Sequence, residues 1–114
     1  MDNFLEEKIL HLYQEPAIGA TYSNTYGEEN IQSLVATYRS LDEQSMSEMM
    51  ARITQFSQSA DLATCFISVG VLHALGQDAA VQEAYQWAKM QEDSGQIISH
   101  FDIGKSVADY FTSR

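Results

Sequence analysis

A few residues in this chain have types that could do chemistry. Gly104-Lys105-Ser106 matches the tail of a phosphate-binding loop, in which backbone N–H groups cradle phosphates and the lysine neutralises them. The full motif needs a glycine five residues before Gly104, and Ser99 stands there. No strand is predicted ahead of it, so Gly104 reads as a glycine that lets two helices approach closely. His11, His73 and His100 form neither an H-x-x-x-H nor an H-E-x-x-H pair, the spacings that would aim two imidazoles at one metal. His73 is expected to be a core histidine bonded to a backbone carbonyl. Cys65 and His73 lie eight helical residues apart, about 12 Å, too far for a thiolate–imidazole pair. Cys65 then reads as a small buried hydrophobe. Asp42, Asp61 and Asp78 stand at predicted helix starts, where capping and the helix dipole explain them. Glu6-Glu7 and Glu92-Asp93 read as solvated pairs. No catalytic residue, metal ligand or cofactor is expected.

Other residues suit recognition. Residues 21–26, Thr-Tyr-Ser-Asn-Thr-Tyr, set Tyr22 and Tyr26 among small polar side chains. Tyrosine offers large contact area with a polar tip. Glu28 and Glu29 follow directly, Asp42 and Glu43 form a second acidic pair, and Trp87 is the only tryptophan. These seven residues are the candidate partner-binding set. The charge balance points the same way: 16 Asp and Glu oppose 6 Lys and Arg, a net charge of −10. Phosphate backbones need clustered basic residues, so nucleic acid is a poor partner, and a protein with a basic surface is a better one. Self-association is the other partner state considered.

The elements that must position these residues are helical. Leu5, Ile9 and Leu12 recur at helical spacing over about residues 2–14, and Pro16 stops the first helix. Residues 15–27 read as a long loop. Ile31, Leu34, Val35, Tyr38 and Leu41 mark a second helix with Glu28 and Glu29 in its first turn. Ser45-Met46-Ser47-Glu48 has a capping-box pattern for a third, whose stripe is Met46, Met49, Met50, Ile53 and Phe56. Leu62, Cys65, Phe66, Val69 and Leu72 line one side of a fourth helix, with Ile67, Val71 and Ala74 on the other; a helix apolar all round should be the buried centre. Ser59 or Asp61 is expected to cap it, and Gly76 to end it. Asp78 is expected to cap a fifth helix carrying Val81, Ala84, Tyr85 and Ala88, closed near Gly95. Ile97, Phe101, Gly104, Ala108 and Phe111 form a sixth, with a kink or restart expected at residues 102–104. No segment sustains period-2 alternation. The expected fold is all-α: one domain over residues 1–114, a compact bundle or stack of antiparallel helical hairpins with about six helices. Residues 62–75, the most apolar stretch, fall short of the ~20 needed to span a membrane. An acidic opening unlike a secretory leader and a single cysteine favour the cytosol.

Leu72, Gly76, Val81, Tyr85 and Ala88 resemble the second half of a tetratricopeptide-type helical hairpin, over about residues 61–91. The usual tryptophan of the first helix is absent, Cys65 occupies that region, and residues 28–57 lack the motif. The resemblance implies a peptide- or protein-binding groove. In size, acidity and helical character the chain is also similar to small bacterial immunity proteins, though it carries no family motif. The leading expectation is therefore a cytosolic protein-binding inhibitor that neutralises a bacterial toxin by covering its active or substrate-binding surface. An adaptor or secretion chaperone holding a partner peptide or helix is the alternative. An enzyme with an unrecognised site ranks third.

Overall fold

A computed structural model describes residues 3–14 and 27–112, and side chains within residues 5–13 and 27–112. Six helices follow in chain order: α1 (Asn3–Gln14), α2 (Glu28–Arg39), α3 (Glu43–Phe56), α4 (Leu62–Ala74), α5 (Asp78–Lys89) and α6 (Ser94–Thr112). There is no strand among the described residues, so the fold is all-α as the periodicity predicts.

α4 is the centre. All eight residues from Cys65 to Leu72 are buried, and α2, α3, α5 and α6 all pack against it. The direction of each neighbour is legible in the residue pairs. Phe66 faces His100, Gly70 approaches Gly104, and His73 meets Asp109, so α4 and α6 run parallel. Gly27 lies against Ile67, and Ile31 against Gly70, so α2 runs parallel to α4 as well. α5 returns antiparallel to α6, with Tyr85 on Phe101 and Asp102 and, further along α5, Trp87 beside Ile97. α1 runs beside α3 in the same direction: Glu6 pairs with Arg52 at 2.7 Å and the Tyr13 ring meets Phe56 edge-on.

Two glycines set how tightly α6 sits. A Cβ on Gly104 would lie 2.8 Å from the Phe66 carbonyl oxygen, and one on Gly70 would lie 3.1 Å from the Gly104 oxygen. The expectation that Gly104 permits close helix approach is met. Of the kink or restart expected at residues 102–104, the restart is absent, because α6 is one unbroken helix of 19 residues. Two competing effects are neutralised there. Gly104 is held helical by its contact with α4, and the Asp102 carboxylate accepts from Tyr85 Oη at 2.6 Å instead of competing with its own backbone.

The caps bring further corrections. α3 begins at Glu43, not at Ser45, because Asp42 accepts the Ser45 N–H at 2.8 Å and thereby becomes the N-cap. Ser45 is the third helical residue, the one being capped. Asp61, of the two candidates, caps α4 through Thr64 N at 3.0 Å. Asp78 caps nothing: Gln77 is the N-cap of α5 without a side-chain bond, and Asp78 is the first helical residue, acting only through its charge at the helix's positive end. α5 ends at Lys89, and Gly95 belongs to the first turn of α6 instead of closing α5. Gly76 does end α4, with φ 73°; its N–H reaches the His73 carbonyl and that of Gln77 reaches Leu72, a Schellman motif.

The buried polar groups of Asn30, Ser68 and Tyr13 are tied in. Asn30 Nδ2 donates to the Leu12 carbonyl at 2.7 Å, clipping the start of α2 to the end of α1. Ser68 Oγ donates to the Thr64 carbonyl, which leaves Tyr13 Oη to donate to Ser68 Oγ at 2.6 Å. Burial raises the Tyr13 pKa well above the usual tyrosine range.

Candidate partner-binding groove

α2 and α6 both lie on α4 and touch each other, and their outward faces leave a groove between them. Its main recess has a volume of about 820 Å³. On the α2 side stand Glu28, Glu29 and Gln32; on the α6 side stand Ser99, Asp102, Ile103, Ser106, Val107, Tyr110 and Phe111. A second recess of about 380 Å³ continues toward the helix C-termini and shares Gln32 and Phe111 with the first. Arg39 lies at that far end.

The groove has an apolar stripe with polar flanks. Ile103, Val107 and Tyr110 recur at i, i+4, i+7 along α6, offset from the inward stripe of Ile97, Phe101, Gly104 and Ala108. Ile103, Val107 and Phe111 are half-buried, while Tyr110 is 61% exposed. Three carboxylates, Glu28, Glu29 and Asp102, stand at one end. Asp102 is fixed by the Tyr85 hydroxyl, and Lys105 Nζ lies 5.2 Å from the centre of the Tyr85 ring. Burial, then the bond to Asp102 and its charge, raise the Tyr85 pKa well above its usual value, so the phenol remains a donor.

The seven sequence candidates do not converge. Glu28 and Glu29 form part of the groove. Tyr22 and Tyr26 lie outside the described residues. Asp42 is occupied as the α3 cap, a bond that lowers its pKa, and Glu43 is the exposed first residue of α3. Both follow the end of α2, whereas Glu28 and Glu29 start it, a helix length of about 17 Å away. Trp87 is half-buried on α5, packed against the core beside Leu62, Cys65 and Ile97, away from the groove. The α6 wall was missed by reading α6 for one inward stripe. The signal was the second apolar series, Ile103, Val107 and Tyr110.

The ionisable residues resolve in part. His73 is not a core histidine bonded to a carbonyl: at the end of α4 its Nε2 lies 2.7 Å from Asp109 Oδ1. Its place in the last turn, where α4 emerges, moves it from the core to the α4–α6 seam. Cys65 is buried and donates to the Leu62 carbonyl; burial, reinforced by the charge of Asp61, pushes its pKa up to about 11. Among the described residues no three of His, Cys, Asp and Glu are placed to hold a metal ion, and no helix is long and apolar enough to cross a membrane.

No protein-family model, no curated protein and no solved structure matches the chain. The tetratricopeptide resemblance therefore rests on its own residues. Leu72, Val81 and Ala88 are buried in the α4–α5 hairpin, and Tyr85 is half-buried.

Proposed function

We propose that this chain is a protein-binding module that holds a basic segment of a partner in the α2–α6 groove. One observation carries the reading: an apolar stripe (Ile103, Val107, Phe111) lies open beside an exposed tyrosine and ends at three carboxylates. Apolar side chains of a partner would leave water against the stripe, each contributing roughly 1.5–3 kcal/mol if fully buried. The carboxylates, within a net charge of −10, would draw a basic partner in and penalise acidic ones.

Two uses share this mechanism. Laid over a basic active surface, the groove would make the chain an inhibitor, the immunity-protein role that size and acidity suggest. Holding one segment of a client would make it an adaptor or secretion chaperone. The inhibitor reading is carried by charge alone, whereas a concave and partly apolar groove favours capture of a segment. The test is retention of a native partner by three purified forms: wild type, Glu28→Lys/Glu29→Lys, and Trp87→Phe. A partner kept by wild type and Trp87→Phe but lost by the charge reversal, at unchanged folding, supports the groove. Equal retention by all three places binding elsewhere and overturns the proposal.

A further inference from the structure

We infer that the occupant of this groove is a single basic amphipathic α-helix of about three turns; the inference rests on the groove being the binding face. Length is the first argument. The two recesses adjoin at Gln32 and Phe111 and together run from Glu28 to Arg39 on one wall and from Ser99 to Thr112 on the other. At 1.5 Å per residue these walls are about 17–20 Å long, the length of a helix of 11–13 residues.

The repeat of the walls is the second argument. Gln32, Ala36 and Arg39 on α2 and Ile103, Val107 and Phe111 on α6 recur every three or four residues. Side-chain rows at this spacing interdigitate with rows of the same spacing on another helix. An extended segment repeats on one face every two residues, about 6.6–6.8 Å, and drifts out of step with them. It also gains affinity by pairing its backbone with a sheet edge, and both walls here are helices whose backbone groups bond internally. The same α2–α6 pair already accepts a helix on its inner side, where α4 lies parallel to both.

Charge selects the kind of helix. Glu28, Glu29 and Asp102 gather at one end, so the complementary helix carries Lys or Arg there, flanking an apolar stripe at i, i+4, i+7 and i+11. A second copy of this chain does not fit, since it would bring another net −10 against the acidic end. Nucleic acid fails for the same reason.

The test uses three synthetic 14-residue peptides. The first has leucines at i, i+4, i+7 and i+11 with lysines flanking its first two turns. The second has the same composition with a central proline and leucines at alternate positions. The third has glutamate for each lysine. Binding is read from fluorescence anisotropy and from amide NMR shifts of the full chain, using wild type and Tyr110→Arg, an exposed position chosen to leave folding intact. The helical lysine peptide should bind at least ten-fold more tightly than either control, shift amides within residues 28–39 and 99–112, and weaken at least ten-fold on Tyr110→Arg. Equal binding of the proline peptide in the groove would overturn the helix while leaving the groove in place. Equal binding of the glutamate peptide would overturn the charge selection. Shifts confined to other faces, or no binding by any peptide, would overturn the inference; the groove itself then stands or falls with retention of the native partner.

Discussion

Gly104→Ala puts the α4–α6 contact to a quantitative test. The added Cβ would sit 2.8 Å from the Phe66 carbonyl oxygen and 3.7 Å from Gly70 N. Ordinary contact begins near 3.4 Å, so a gap of about 0.6 Å must open. The obstructing atom is backbone inside the most buried helix, and it is the acceptor for the helical N–H of Gly70, so it cannot swing aside as a side-chain end could. α6 must shift as a body. Overpacking of this kind costs roughly 1–3 kcal/mol, and a backbone obstacle argues for the upper end. Alanine returns about 1 kcal/mol of helix propensity over glycine. The expected net loss is about 2 kcal/mol, or about 8 °C in Tm at ~4 °C per kcal/mol for a chain of this size. Gly95→Ala is the control in the same helix: its Cβ would meet nothing within 4 Å, so it should be neutral or stabilising by up to ~1 kcal/mol. Thermal and urea melts followed by circular dichroism measure both. Gly104→Ala melting at or above wild type would refute the tight contact and with it the reason α6 continues unbroken through Gly104.

Phe101→Ala should cost about 3–5 kcal/mol by truncating a fully buried ring, and Val69→Asp, which puts a charge at a fully buried site, should leave no cooperative melt. Tyr85→Phe should leave the helical signal unchanged but weaken partner binding several-fold by releasing Asp102, measured by calorimetry; unchanged affinity would show that the carboxylate needs no positioning. The capping bonds lower the pKa of Asp42 and Asp61 below the ordinary 3.8, so their stabilisation is present above about pH 4 and lost as pH falls through the folded values; Asp61→Asn should flatten the acid limb of a urea midpoint titration between pH 5 and 2, and an unchanged limb would contradict the assignment. Cys65 should resist alkylation at pH 8 until the chain unfolds, since its thiol is buried and raised to about 11, as a mass shift per unit time will show.

The fold was largely legible because its signals are local. Ile31, Leu34 and Val35 declare one face of α2, and the unbroken apolar run in α4 can only be a centre. Gly76 ends a helix by a backbone rule that needs no tertiary context. What stayed illegible depended on a choice between local bonds or on a partner element. Asp42 and Ser45 offer competing starts for α3, and the choice turns on which side-chain oxygen, the carboxylate or the hydroxyl, reaches an N–H. A glycine after an aspartate in α6 looks like a break until the Phe66 carbonyl is seen beside it. Half of the candidate site had the same difficulty. Glu28 and Glu29 were visible as an acidic pair at a helix start, but their apolar neighbours come from residues about 70–80 positions later in the chain.

The groove is a consequence of how the core is closed. α4 is apolar on every side, so covering it needs helices on all its flanks. Gly70 and Gly104 draw α6 down until backbone meets backbone, and Gly27, whose Cβ would lie 2.8 Å from the Ile67 side chain, lets the start of α2 settle onto that side chain. Two parallel helices seated that deeply on a third meet along their lower faces and diverge above, which leaves a cleft whose floor is their own second row of side chains. On α6 that row is Ile103, Val107 and Phe111, half-buried residues of which Val107 and Phe111 also pack against the edge of the core. The glycines that tighten the core thus set the width of the groove. Gly104→Ala, by lifting α6, should change partner affinity even where the variant is fully folded at the assay temperature, whereas Phe101→Ala at matched residual stability should not. That pair of measurements separates a groove whose shape depends on the glycine contact from a surface that merely happens to be acidic and partly apolar.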